Sequence, residues 1–289
     1  MKTILVTGAS GQLGSSLQLL SAGSPDDYRF LFTDVDTLDI CNKEFLLSYV
    51  QANDVGYIVN CAAYTAVDEA EDNELPAMRI NSEAVRNLGE VAQALRARII
   101  HISTDYVFDG KSSLPYVEND YTCPVSVYGR TKESGEKFLR AVCPEALIIR
   151  TAWLYSAFGH NFVKTMLRLG KERSELRVVS DQIGTPTYAG DLAAAILSII
   201  RSAEAGNFKA GIFHYSNEGV CSWYDFARKI FQLTNTGCRV FPIETKDYPT
   251  RALRPQYSVL NKRKIKETYG LSIPHWEESL HYMINRIKE

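Results

Sequence analysis

No stretch of the sequence is apolar for long. None approaches the roughly 20 residues that a membrane-spanning helix needs. The opening MKTILVTGAS reaches glycine after a short apolar run, too soon for a signal-peptide core, and reads as a strand. An excess of one charge is also missing. The 32 Lys and Arg nearly balance the 34 Asp and Glu, giving a formal net charge of −2 and a pI near 6.3. There is thus no basic footprint for nucleic acid or an acidic lipid surface. Cysteines lack pattern: Cys41, Cys61, Cys123, Cys143, Cys221 and Cys238 are scattered, with no Cys-x-x-Cys spacing. That argues against a zinc site and a disulfide framework and predicts buried free thiols in a reducing cytoplasm. Repeats and low-complexity segments are absent too. A cytoplasmic protein with a small-molecule partner, and neither nucleic acid nor membrane, is expected.

What is present describes an ordinary globular chain. Its 289 residues are 45% hydrophobic and 23% charged, and a chain of this length buries roughly three quarters of its unfolded surface. In the first half, short apolar runs (TILVTG, FLFTDV, YIVNCAA, RIIHISTDYVF) alternate with amphipathic stretches (QLGSSLQLL, KEFLLSYVQAN, RINSEAVRNLGEVAQALRA). Such alternation predicts an α/β fold, a doubly wound parallel sheet with crossover helices. Beyond ALIIRTAWLY the alternation weakens. NFVKTMLRLGKE, AGDLAAAILSIIRSA and SWYDFARKIFQL read as helices, with Asp191 a possible cap of the second and Ser222 of the third. Pro242, Pro249, Pro255 and Pro274 are expected to break the tail into short pieces.

Three local patterns carry chemistry. TGASGQLG places Gly8, Gly11 and Gly14 between the first strand and the first helix, where glycine permits a tight turn and a close approach to a pyrophosphate at the helix N-terminus. Asp34 ends the second strand about 20 residues beyond the last glycine, where a carboxylate accepts bonds from an adenosine ribose. That leans toward NADH, but Asp36 and Asp39 are close by and NADPH stays open. In VYGRTKESGEK, Tyr128 and Lys132 lie one helical turn apart on one face. Alone, this pair also fits a solvated helix face. Ala62 and Ala63 after the third strand are small enough for a flat cofactor to lie against the backbone. Ser103 and Thr104 are hydroxyls at the polar end of another buried strand.

Taken together and in order, CAAYTAVDEAE, STDYVFDG, VYGRTK, RTAWLY, GHNFVKTML, DQIGTPT and RPQYSVLN resemble segments of the dTDP-4-dehydrorhamnose reductases, a family of the extended short-chain dehydrogenase/reductase superfamily. The resemblance spans most of the chain. It implies a Rossmann dinucleotide-binding domain of residues 1–154 and 189–217. A smaller, discontinuous α/β region of residues 155–188 and 218–289 would bind the nucleotide sugar. It further implies that NADPH or NADH reduces the C4 ketone of a dTDP-linked 4-keto-6-deoxy sugar. Tyr128 would act as proton donor, Lys132 as the cation that draws its pKa toward the operating pH, and Thr104 as donor to the substrate oxygen.

The implied cofactor contacts are Gly8, Gly11, Gln12, Leu13, Gly14, Asp34, Asp39, Ile40, Ala62, Ala63, Tyr64, Thr65, Tyr128 and Lys132. The implied substrate contacts are Thr65, Val67, Thr104, Asp105, Tyr128 and Trp153. Trp153 would be an apolar wall for the sugar, or equally a core tryptophan. Asn161, Lys164 and Arg254 are further candidates for the nucleotide or diphosphate. Some members of the family bind magnesium through glutamates at a dimer contact. Ser16 and Gly190 stand at the corresponding positions here, so no metal is expected, and the chain is expected to be a monomer or weak homodimer. Two other readings fit parts of the pattern: another nucleotide-sugar reductase or epimerase, and a non-catalytic binding protein like the regulatory subunit of methionine adenosyltransferase.

Overall fold

The apolar runs are continuous rather than alternating because the inner strands are buried on both faces, as parallel strands between two helical layers must be. The computed structural model describes residues 2–23 and 28–288, so the outermost bounds of the two expected regions, residues 1 and 289, lie outside the described residues. Six strands, β1 (Lys2–Thr7), β2 (Tyr28–Thr33), β3 (Val55–Asn60), β4 (Arg98–Thr104), β5 (Leu147–Thr151) and β6 (Gly211–His214), form one parallel sheet. Their spatial order is β6-β5-β4-β3-β1-β2. The chain goes outward from β1 to β2, then crosses to the other side of β1 for β3. The carboxyl ends of β1 and β3 therefore flank a topological switch point, where open α/β sheets bind ligands.

Among the described residues there are eight longer helices: α1 (Gln12–Ser21), α2 (Lys43–Ala52), α3 (Ala84–Leu95), α4 (Val127–Val142), α5 (Phe162–Glu172), α6 (Ala189–Glu204), α7 (Trp223–Thr234) and α8 (Trp276–Lys288). Side-chain alternation along the strands separates two cores. On one face Ile4, Val6 and Ile149 meet Leu13 and Leu17 of α1 and Ile196 and Ile200 of α6. On the other face Leu5, Ile58, Ile99 and Ile148 meet Leu46 of α2, Val85 and Leu88 of α3 and Leu139 of α4. Burying each such leucine fully contributes about 1.5–3 kcal/mol.

A third cluster joins α5, α7 and α8 through Val163, Met166, Phe226, Ile230, Leu280 and Met283. The short helix Arg263–Tyr269 departs from the expected division: its Ile265 and Tyr269 pack into the sheet core with α6 and Phe213 of β6.

Other local expectations change as well. Ser222 does cap α7, in a reciprocal capping box with Asp225. Asp191 does not cap α6, whose N-cap is Tyr188; its carboxylate instead accepts from Asn217 Nδ2 (2.7 Å) and Ser279 Oγ (2.5 Å). The proline-rich tail ends in the 13-residue α8, because Pro274 lies two residues before its first residue and leaves the interior free. All six cysteines are free, but Cys123 is exposed and Cys41 and Cys61 are only partly buried. Cys123 lies in the irregular stretch before α4, where its amide is tied to the Val107 carbonyl (2.9 Å).

Candidate active site

The switch point is shaped by close backbone approach. Gly8 has φ +65°, and a Cβ there would stand 2.6 Å from the Ala62 amide nitrogen, so only glycine fits between β1 and the segment after β3. The Gly11 amide donates to the Gly8 carbonyl (3.1 Å), and Gly11 caps α1 with no side-chain hydrogen bond. Gly14 is buried in the first turn of α1. The turn presents α1 amides and the positive end of its dipole, a donor set that suits a pyrophosphate. Asp34 reaches the same turn, accepting from the Ser10 amide (2.8 Å) and hydroxyl (2.5 Å).

The other residues expected around the cofactor have different surroundings. Leu13 and Ile40 point into the two cores. Asp39 accepts from the Cys41 amide (2.9 Å) and faces Arg79 at 3.7 Å. The Gln12 side chain turns to the β5–α5 connection, donating to Leu154 O (3.2 Å) and accepting from Ser156 Oγ (3.2 Å) and Asn161 Nδ2 (3.0 Å).

The segment after β3 packs on α4 through Tyr64. Ser126 caps α4 by accepting from the Gly129 amide (3.1 Å). A Cβ at residue 129 would stand 2.3 Å from the Tyr106 carbonyl oxygen, so the small residue after Tyr128 lets the helix press against the end of β4. Tyr128 is half-buried and packs with Tyr64 beside Val127, while the Tyr106 ring meets its edge at 5.5 Å and 76°. Burial pushes the Tyr128 phenol above its ordinary pKa; the Thr104 hydroxyl opposes this, and Asp105 and Tyr106 add to it.

Lys132 is buried, and its Nζ donates to the Ile102 carbonyl (2.7 Å). Burial lowers its pKa to about 8 against the opposing charges of Glu136 and Cys61. Desolvation is the largest influence on the Tyr128 phenol, and the Lys132 ammonium is anchored on β4.

Thr104 ends β4 and sits in register with Thr151 of β5. Its hydroxyl donates to Asp105 Oδ1 (3.0 Å) and accepts from the Tyr106 amide (3.2 Å), fixing the turn that follows. The buried Asp105 has no partner at Oδ2, and burial raises its carboxyl pKa to about 6, with Ser258 and Thr104 pulling it back.

Several residues that complete this arrangement escaped the sequence reading. Asn81 accepts from the Tyr64 amide (2.8 Å) and donates to the Tyr64 carbonyl (3.1 Å) and Thr131 Oγ1 (3.0 Å), tying the Ala62–Thr65 segment to α4. It sits in a π-helical turn, Arg79–Glu83, a feature often found at functional sites. Glu136, two turns beyond Tyr128, makes a buried bidentate pair with Arg150 (2.9 and 2.7 Å) and accepts from Ser103 Oγ (2.5 Å). An arginine inside the apolar run LIIRT was the available signal for a buried partner.

The expected substrate residues are brought together only in part. Thr65 is exposed, and the partly buried Val67 opens the short helix Val67–Ala70. Trp153 has φ +47°, stacks on Trp223 (3.6 Å, 11°) and abuts Gly184. It packs against both the third cluster and the cluster around Phe108 and Tyr116, which makes it a bridge between cores rather than a free wall. Asn161 caps α5, accepting from the Lys164 amide (3.1 Å), and Lys164 Nζ reaches Ala157 O (3.3 Å). Arg254 donates to Asp68 (2.5 Å) and to Tyr106 Oη (3.2 Å). Ser16 and Gly190 line a surface cavity of about 370 Å³ with Asp191, Glu278 and Arg286. Among the described residues no three His, Cys, Asp or Glu side chains cluster to hold a metal.

A glycine-rich turn at the switch point, a helix that carries Tyr128 and Lys132, and a strand-end Thr104 are the parts of an extended short-chain dehydrogenase/reductase. Residues 1–289 match the family model described as the RmlD substrate binding domain, and the chain belongs to that family. It is 43% identical over 288 residues to the dTDP-4-dehydrorhamnose reductase of Aggregatibacter actinomycetemcomitans, covering 97% of each protein. The crystal structure of a dTDP-4-dehydrorhamnose reductase from Clostridium acetobutylicum has a TM-score of 0.94 and 42% identity, covering 99% of this chain and 100% of that one. A dTDP-4-dehydrorhamnose reductase from Bacillus anthracis, in complex with NADP, has a TM-score of 0.93 and 40% identity, with 99% of each chain covered.

Proposed function

We propose that this chain uses NADPH or NADH to reduce the C4 ketone of dTDP-4-dehydro-6-deoxy-L-mannose, giving dTDP-L-rhamnose for rhamnose and cell-surface polysaccharide biosynthesis. The observation that carries this reading is the anchoring of α4 on β4, with Lys132 Nζ, one helical turn from Tyr128, on the Ile102 carbonyl (2.7 Å) two residues before Thr104, in a chain that matches the family along its whole length. The turn from Gly8 to Gly14 suits the pyrophosphate, Asp34 and Ser10 the adenosine ribose, Ala62 and Ala63 the flat ring, and Lys132 the nicotinamide ribose. When bound, the nicotinamide supplies the hydride.

The chain's own residues manage the proton and the ketone. With its pKa raised, Tyr128 keeps its phenolic proton through neutral pH and donates it from Oη to the oxygen that gains charge. Thr104 supplies a second donor to that oxygen once its hydroxyl turns from Asp105. A preorganised donor of this kind is worth roughly 10²-fold or more in rate. Lys132, charged below about pH 8, adds a positive field at the same end of α4. Asp105 offers its unpartnered oxygen to a sugar hydroxyl.

Residues 1–154 and 189–217 would form the dinucleotide unit, and 155–188 with 218–289 the sugar-nucleotide unit, apart from the helix Arg263–Tyr269, which packs on the sheet core. The separate core of α5, α7 and α8 supports that division. We place the protein in the cytoplasm as a monomer or weak homodimer, acting without nucleic acid or membrane. Its near-neutral charge supports the part about nucleic acid; among the described residues no helix is long and apolar enough to cross a membrane.

The test is to offer the purified protein dTDP-4-dehydro-L-rhamnose with NADPH or NADH and follow cofactor absorbance and sugar product together. One cofactor oxidised per ketone reduced is expected. Absence of oxidation overturns the reading, and sugar conversion without net oxidation points to an epimerase.

A further inference from the structure

We infer that Asp68 is a positioning residue that holds Arg254 ready for the diphosphate of the sugar nucleotide. This rests on the nucleotide-sugar reading above. Asp68 lies in the short helix that begins at Val67, and its two carboxylate oxygens do different work. Oδ2 accepts from Arg254 Nη2 (2.5 Å), while Oδ1 accepts from the Ala252 amide (3.1 Å). One side chain thus fixes both the guanidinium and the backbone that carries it.

The other end of the fork is fixed as well. Arg254 Nη1 donates to Tyr106 Oη (3.2 Å), and the Tyr106 ring meets the edge of Tyr128 at 5.5 Å. Downstream, Pro255 restricts the Arg254 backbone to extended conformations, and the Gln256 carbonyl accepts from the Ile183 amide (2.7 Å). A guanidinium has five N–H donors in a rigid plane that matches paired anionic oxygens. Those not turned to Asp68 and Tyr106 stay available, and the side chain remains partly exposed.

The location suits the ligand chemistry. A sugar with its C4 oxygen at Tyr128 carries its diphosphate on C1, across one ring. Arg254 sits one aromatic ring from Tyr128, through Tyr106, and is bonded to Asp68, the residue after Val67. Asp68 neutralises a partly buried cation while it waits, and it removes the conformational freedom an unanchored arginine would lose on binding. The neighbouring pair Arg251–Asp72 joins the same two segments but is well exposed, so it adds little.

The test compares dTDP with thymidine as titrants of the full chain by calorimetry. The parent is expected to prefer dTDP, and Arg254→Ala to lose about 10- to 100-fold of that preference, the range for hydrogen bonds to charged groups. Asp68→Ala should lose most of the same preference, and adding it to Arg254→Ala should cost little more. Asp68→Asn, which keeps the shape, should show the same direction and covers a failure of the alanine variant to fold.

NADPH affinity should stay unchanged throughout. A parent with no preference for dTDP overturns the inference, as do Asp68 variants with the parent's preference, equal losses of dTDP and thymidine, or additive losses in the double variant. Failure of the ketone-reduction assay with the dTDP preference intact would overturn only the proposed reaction.

Discussion

Lys132 on α4 is anchored to β4 through the Ile102 carbonyl, 2.7 Å from its ammonium, one helical turn from Tyr128. Burial sets its charge balance, lowering the pKa to about 8 while Glu136 opposes the shift. The folded pKa lies below the unfolded value of about 10.4. The cost of burying the charge is therefore fully present below pH 8 and fades as pH rises toward the unfolded value. Activity runs the other way, since the charged form is lost above about pH 8. The profile of kcat/KM, which reports the free enzyme, should fall there. Lys132→Met should gain on the order of 2–3 kcal/mol at pH 7 in urea unfolding, a gain that shrinks toward pH 10, while activity collapses. A variant less stable than the parent at pH 7 would contradict the assigned cost.

Thr104 is tied to Asp105 and Lys132 to Ile102, so Tyr128 is the residue placed here as proton donor. Tyr128→Phe keeps the ring against Tyr64 and Tyr106 and removes only Oη. Turnover should fall about 10²- to 10⁴-fold, the range for a positioned general acid, with NADPH affinity within a fewfold of the parent. Near-parental turnover would remove Tyr128 from the mechanism.

Asp105 should make stability depend on pH in a way that an amide does not. Its folded pKa of about 6 exceeds the unfolded value of about 3.9. The resulting stability is present below pH 4 and lost as pH rises through 6. Between pH 4 and 8, the stability of Asp105→Asn relative to the parent should improve by on the order of 2–3 kcal/mol. Parallel urea midpoints for the two proteins across that range would show that the carboxyl is not perturbed.

These residues differ in how far the sequence announced them. The sheet was legible because strands buried on both faces leave continuous apolar runs such as LIIRT and YIVN, and Tyr128 and Lys132 because a four-residue spacing has one meaning on a helix. Asn81 was not, since side-chain periodicity does not disclose a π-helical turn. Trp153 could not be placed because its orientation depends on φ +47° and on Trp223 and Gly184, both distant in sequence. The tail misled for a local reason. Pro274 lies two residues ahead of Trp276, outside the helix, and proline has opposite effects before and inside a helix. Glu136 shared the face of Tyr128 and Lys132, yet a carboxylate on a charged helix resembles solvated surface until its strand partner is known.

That partner makes Glu136 the most testable structural element of the site. Glu136 and Arg150 are both almost fully buried, paired through two hydrogen bonds, with Ser103 closing the carboxylate and the guanidinium over the Phe108 ring at 5.1 Å. Removing one partner leaves the other charged and desolvated, at a cost of about 3–5 kcal/mol. Replacing both removes that penalty. Arg150→Met and Glu136→Met should therefore each lower the urea midpoint strongly, while Glu136→Met with Arg150→Met recovers most of the loss, a non-additive cycle expected of residues in contact. The double variant should nonetheless lose activity, because Lys132 loses the one opposing carboxylate that offsets its burial, and its alkaline limb should move to lower pH. Additive losses in the double variant would mean that each side chain acts through separate packing, and an unmoved limb that Glu136 does not act on Lys132.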